Sequence, residues 1–171
     1  NPPPSFGIGA SAGVFSSNPP GVIFTNANTG EIDLLSSASG TYSIINTIPA
    51  SGGCAATSFS DTVTIYTSLN SSFSYSSPTY CQAEANPIPI ITGQAGGVFS
   101  SNPSGLSIDS LTGIIDLAAS VLNTYTVTYL LNGFCPDTNY TSISIISGAS
   151  ANFSYSDSIF CQNAINPTPI L

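Results

Sequence analysis

The chain has 171 residues, 42% of them hydrophobic, and a formal charge of −8 with no Lys, Arg or His. That composition excludes nucleic-acid binding, which needs cations to displace condensed counterions, and docking on an anionic lipid surface. It also removes the His and tuned Lys behind most acid–base chemistry near neutral pH, and it makes side-chain salt bridges impossible.

The chain opens on "NPPPSF" (Asn1–Phe6), and "GVFSSNP" follows at Gly13–Pro19. "TGEIDL" (Thr29–Leu34) and "TY" (Thr41–Tyr42) come next, and Cys54 precedes "DTVTI" (Asp61–Ile65), which predicts a strand over 62–66. "FSYS" at Phe73–Ser76 alternates apolar and polar residues, as a half-buried strand does. "YCQ" holds Cys81, and "NPIPII" repeats the opening phrase at Asn86–Ile91. Pro87 and Pro89 have no N–H on one side of that strand, which places it at a sheet edge.

From Gly97 the same words return in the same order: "GVFSSNP" at Gly97–Pro103, "TGIIDL" at Thr112–Leu117, "TY" at Thr124–Tyr125, then Cys135 and "TSISI" at Thr141–Ile145. "FSYS" appears again at Phe153–Ser156, followed by Cys161 and "NPTPIL". The unit is therefore about 80 residues long, too long for a solenoid turn and suited to a small sandwich domain. Its complete copy predicts seven strands, near 72–76, 88–92, 97–101, 105–109, 113–118, 124–131 and 140–147. "TYTVTYL" sets Tyr125, Val127 and Tyr129 on one face and three Thr on the other. Turn signals such as "SSNPSG" and "DSLTG" separate the strands, and no stretch has helical periodicity. The fold class is all-β: tandem immunoglobulin-like antiparallel sandwiches, head to tail.

The organisation read from these repeats is a domain lacking its first strand (1–69), a complete domain (70–149), and the first-strand segment of a further domain (150–171). The missing front and the surplus back are the same piece. The chain lacks an initiating Met and a signal peptide, so it reads as a processed product or a window on a longer chain. Two arrangements follow. Either the sequence continues into neighbouring units, or each subunit donates its C-terminal piece to the next and so builds a non-closing filament. No apolar run is long enough to span a membrane.

"PSGLSIDSLTGIIDL…NTYTVTYLLNGFC", preceded by "FSYSSPTYCQ", resembles the Ig-like (PKD-like) repeats of secreted, surface-exposed Bacteroidota proteins; "IPASGGCAATSFSDTVTI" (Ile48–Ile65) resembles the end of the same repeat. The resemblance covers essentially the whole chain. It implies export, a cell-surface or extracellular address and tandem copies. It also implies O-glycosylation at Asp-Ser/Thr-apolar triplets, here Thr62, Ser110 and Ser158; glycans would help keep a cation-free fibre soluble.

Four Cys without His read as disulfides in an oxidising setting. One scheme pairs Cys81 with Cys135 inside the complete domain and leaves Cys54 and Cys161 to pair between neighbouring units. The other pairs Cys54 with Cys81 and Cys135 with Cys161. A loop of the size closed by Cys81 and Cys135 would contribute roughly 4 kcal/mol on the chain-entropy model. Glu31 and Asp33, about 7 Å apart on one strand face, form a carboxylate pair, but the second copy has Ile114 in place of Glu31. "NANTGEID" (Asn26–Asp33) has the outline of a calcium loop, and its counterpart "DSLTGIID" lacks the ligand spacing. The Tyr and Phe residues fit a core better than a sugar platform. The expectation is a non-enzymatic chain with no cofactor and no metal. It is a structural component of an extracellular filament or stalk whose partners are its own copies. An adhesin module and a passive spacer are the alternatives.

Overall fold

The computed structural model describes residues 3–149, 151–162 and 164–170. The chain divides into two compact units, Asn1–Ser68 with Gly133–Cys135, and Leu69–Asn132 with Pro136–Leu171. The boundary falls one residue before the expected one, because Leu69 packs against the core of unit 2. Among the described residues every regular element is a strand.

Unit 1 contains β1 (Val14–Asn18), β2 (Phe24–Asn26), β3 (Glu31–Ile32), β4 (Gly40–Ile48) and β5 (Thr57–Ile65). β1, β4 and β5 form an antiparallel sheet with β4 in the centre, and β2 pairs with β3. The register sets Phe15 opposite Asn46 and Tyr42 opposite Val63. The core of this unit is Phe15, Val22, Tyr42, Ile44 and Ile65.

Unit 2 contains β6 (Phe73–Ser74), β7 (Thr79–Cys81), β8 (Ile90–Ile91), β9 (Val98–Asn102), β10 (Ser107–Ile108), β11 (Ile115–Asp116), β12 (Asn123–Leu131) and β13 (Asp137–Ile146). A four-stranded sheet, β7-β13-β12-β9, is faced by the pairs β6–β8 and β10–β11. β7 runs parallel to β13 and the other neighbours are antiparallel. The alternation expected for β12 is realised: Tyr125, Val127, Tyr129 and Leu131 are buried, and the Thr face is largely exposed. These residues meet Phe73 from β6, Tyr75 just after it, Tyr80 from β7, Phe99 from β9, and Ile115 and Leu117 from the opposite layer. The result is a two-layer immunoglobulin-like sandwich.

Repeated residues do the same work in both units. Tyr42 donates its hydroxyl proton to the Ala38 carbonyl, and Tyr125 donates to that of Val121. The Ser37 hydroxyl donates to the Asp33 carbonyl, and that of Ser120 to the Asp116 carbonyl. Gly30 and Gly113 both have φ of +72°, and a Cβ on either would lie within 2.8 Å of Phe15 or Phe99. The proline element of unit 2 pairs with β6 on one side and touches β11 on the other, so it is not the open edge expected from Pro87 and Pro89. The Pro87 carbonyl accepts the Ile115 N–H, so that contact uses an acceptor, which proline keeps.

Candidate functional site

The two units differ where β6 and β7 sit. In unit 2 these strands bring Phe73, Tyr75 and Tyr80 over the sheet, at 8%, 9% and 7% exposure. Phe73 packs on Phe99 and Tyr129, with ring centroids 5.4 and 5.7 Å away. The Tyr75 hydroxyl donates to the Gly113 carbonyl, and burial, then the neighbouring Tyr80, raises its pKa. Ser71 opens this segment by donating both its N–H and its hydroxyl proton to Asp137 Oδ2, at 2.7 and 2.8 Å.

Unit 1 has no strand in either place among the described residues. Its sheet stops at β5, whose outer edge is unpaired, whereas β13 is covered there by β7. Its face is an open groove of about 660 Å³ lined by Phe15, Ile32, Leu34, Ile44, Phe59 and Val63, with Pro3–Phe6 along it. The residues matching Phe15, Ile32, Leu34, Ile44 and Val63, namely Phe99, Ile115, Leu117, Val127 and Ile143, are buried in unit 2, while Phe59 stands in the place of the half-buried Asn139. The register also makes Asn46 the counterpart of Tyr129. Asn46 reproduces both tyrosine hydrogen bonds in kind, accepting from the Gly13 N–H and donating to the Ser11 carbonyl, as Tyr129 does with Gly97 and Gln94. Its short side chain leaves the space of the ring open. Phe6 meets Phe15 edge to face at 6.3 Å and remains 44% exposed.

The C-terminal segment carries the complementary set. Ser154 and Ile170 form an antiparallel bridge, as Ser74 and Ile90 do in unit 2. Phe153, Tyr155 and Phe160, the counterparts of Phe73, Tyr75 and Tyr80, are 63%, 46% and 42% exposed. Their ring contacts are with one another.

The cysteine scheme led by Cys81–Cys135 is corrected by the register. Cys81 pairs with Ile146, at the last residue of β13, while Cys135 precedes the first residue by two. The ten residues of β13 hold these ends about 30 Å apart at ~3.3 Å per residue, and a disulfide needs Cα atoms within about 7 Å. The same register separates Cys54 from Cys161 if Cys161 occupies the position of Cys81 on β5. All four cysteines are unbonded; Cys81 is half-buried and the others are exposed.

The other sequence candidates resolve as local structure. Glu31 and Asp33 do not share a strand face, because β3 ends at Ile32 and Asp33 caps a turn. Its carboxylate accepts from the Ser36 hydroxyl and the N–H groups of Leu35 and Ser36, which lower its pKa. In the "NANTGEID" loop Asn26 accepts from Asn28, Thr29 and Gly30, the contacts of a tight turn. Thr62, Ser110 and Ser158 are all exposed. Thr62 lies on β5, Ser110 in the turn after β10, and Ser158 in the terminal segment. Two features escape the sequence patterns: β7, and the widening of the open face at Asn46. The recurring aromatic-Cys-Gln triplet ("YCQ" at Tyr80–Gln82, "FCQ" at Phe160–Gln162) and the Asn46/Tyr129 difference are the signals that could have found them.

No family model matches the chain, and no curated protein matches it. Among solved structures it is similar to mouse cadherin-23 EC22–24, at 13% identity and a TM-score of 0.40, over 84% of this chain and 57% of that one. The chain thus spans somewhat more than half of that neighbour's length, and a likeness this weak bears on neither function nor partners. No helix among the described residues is long and apolar enough to cross a membrane.

Proposed function

We propose that the chain is a structural subunit of an extracellular filament or surface stalk, and that successive copies join head to tail by strand complementation. Residues 151–170 of one copy enter the open face of unit 1 in the next. One observation carries the reading: the three aromatic residues that close unit 2 are repeated in the terminal segment, where they are exposed, and the groove they would close in unit 1 is open. In that position Phe153 lies against Phe15, the Tyr155 hydroxyl reaches the Gly30 carbonyl, and Phe160 follows the outer edge of β5. The Ser154–Ile170 bridge already gives the segment part of its docked shape, which lowers the ordering cost of binding. The contact is heterologous and does not close, so it propagates.

An extracytoplasmic address fits the cysteine content and the Ser/Thr-rich, cation-free surface. Thr62, Ser110 and Ser158 remain the candidate glycan sites, to be checked by mass mapping of native material; additions confined to other residues would remove them.

The test is deletion of 150–171. The full chain should form fibres visible by negative-stain electron microscopy, while residues 1–149 should stay monomeric and a synthetic 151–170 peptide should bind them. Fibres from the truncated chain, or a reduced native polypeptide far heavier than 17.4 kDa, would overturn donation between subunits.

A further inference from the structure

We infer that Cys81 forms a disulfide with Cys54 of the next copy, so that the filament is covalently locked after the tail has docked; this rests on the head-to-tail reading above. Unit 2 has an incoming and an outgoing end. The chain comes in at Ser71, bonded to Asp137 at the start of β13, two residues after Cys135. It leaves after Ile146, whose partner in the parallel register is Cys81 and whose carbonyl accepts the Gln82 N–H. The first cysteine of a unit therefore lies where the chain goes out, and the hairpin-loop cysteine lies where it comes in.

In unit 1 the hairpin-loop cysteine is Cys54, in the turn bridged by Ser51 and Cys54 between β4 and β5. The counterpart of Asp137 at the start of β5 is Thr57, and the counterpart of Ser71 in the tail is Ala151. Both members of the Ser71–Asp137 pair are thus replaced together. Ala151 has no hydroxyl to donate and Thr57 no carboxylate to receive one, while the Ala151 N–H can still donate to the Thr57 hydroxyl. A tail docked as proposed brings its Ala151 to Thr57, three residues from Cys54. From Ala151 back to Ile146 is five residues, a reach of at most about 18 Å. Cys81 is fixed beside that Ile146. The pairing joins two thiols held at adjoining ends, whereas β13 keeps Cys81 and Cys135 about 30 Å apart within their repeat. Cys54 is exposed, and the 81–84 turn, closed by the Glu84 N–H on the Cys81 carbonyl, leaves Cys81 half-buried at its corner.

The chemistry is thiol–disulfide exchange. Two thiols lose two protons and two electrons as one S–S bond forms, and a small-molecule disulfide such as oxidised glutathione is reduced to two thiols.

To isolate the pair, Cys135→Ser and Cys161→Ser are combined, both at exposed positions. Equal amounts of unlabelled and isotope-labelled full-length chain are assembled under reducing conditions, imaged, and then treated with oxidised glutathione. The expected result is a dithiothreitol-sensitive ladder on a non-reducing gel. Cleavage at Asp and Glu should release Cys54–Cys81 peptides, roughly half of them joining a light chain to a heavy one. Adding Cys81→Ser should abolish the ladder while fibres persist. Linked peptides of a single isotope, or fibres that oxidise without a ladder, would overturn the pairing and leave the filament reading intact. Absence of fibres before oxidation would overturn the filament reading, and this pairing with it.

Discussion

Phe73 meets Phe99 edge to face, with 5.4 Å between ring centroids. The counterpart of Phe99 in unit 1 is Phe15, whose ring neighbours among the described residues are Phe6 and Phe24, each at 6.3 Å. The ring that should stand in the place of Phe73 is Phe153, exposed at the other end of the chain. Identical residues in identical words thus have opposite burial, and the difference is whether a sheet face is available to them.

Opposite mutational signatures follow. Phe73→Ala should cost about 3–5 kcal/mol of unit 2 stability, the usual loss for a buried Phe. Phe153→Ala should leave the denaturation midpoint of the dilute chain unchanged. It should raise the critical concentration for assembly by about 100-fold or more, which is 3 kcal/mol expressed as an equilibrium. Equal destabilisation of the monomer by both changes would place Phe153 in its own chain's core.

Tyr155→Phe tests the hydrogen bond. In unit 2 the buried Tyr75 hydroxyl donates to the Gly113 carbonyl, and Gly30 is the acceptor awaiting Tyr155. Loss of that donor should weaken assembly about 10-fold, since it leaves one buried carbonyl unpaired. Measured by sedimentation, an unchanged assembly constant would mean that Tyr155 docks elsewhere or not at all.

The acid limb of stability should belong to three aspartates. Asp137 is held below the usual carboxylate range by the Ser71 N–H and hydroxyl, Asp33 by the Ser36 hydroxyl and then its N–H, and Asp109 by the N–H groups of Thr112 and Leu111. Each folded pKa lies below the unfolded value near 3.9. Their contribution is therefore fully present above about pH 4 and disappears as pH falls through the folded values. With no His, urea midpoints should be nearly flat from about pH 5 to 8. Asp137→Asn should lower the midpoint at pH 7, and the gap from wild type should close well below pH 4. A gap that persists undiminished in acid would remove the carboxylate's charge as its cause.

Much of this was legible in the sequence because period-two alternation and repeated turn words mark the same strands twice. The long strands β12 and β13 lie where the pattern put them, whereas the pairing of "FSYS" with "NPIPII" shows only in the fold. The three-residue β7 did not announce itself, since a segment of that length has no period to count and is held by a parallel partner 65 residues on. The cysteine pairing failed for a related reason. Shared membership of a repeat says that two cysteines belong to one domain, but not which end of a strand each one occupies. The carboxylate pair failed because Asp33 satisfies the turn that follows β3. Among the described residues unit 1 has no strand where unit 2 has β6 and β7, and the Asn46 substitution on that face shows only when the registers of β4 and β12 are compared.

Phe6 offers the sharpest separation of roles. It lies against Phe15 along the groove and is still 44% exposed, so it shields the face that the incoming Phe153 would cover better. By sequence it belongs to the proline element, whose counterpart in unit 2, Ile91, pairs with Phe73. The donated segment brings its own copy of that element, with Ile170 already bridged to Ser154. Two copies of one strand then compete for one place. If Phe6 is a stopgap, Phe6→Ala should lower the stability of the free chain, expose more of Phe15, and yet speed assembly several-fold. If Phe6 instead remains as part of the finished face, Phe6→Ala should slow assembly and destabilise the fibre together with the monomer. Light-scattering kinetics and a urea melt on the same variant distinguish the two. The first pattern is expected, because an incompletely buried ring gives up less on leaving than Phe153 gains on entering.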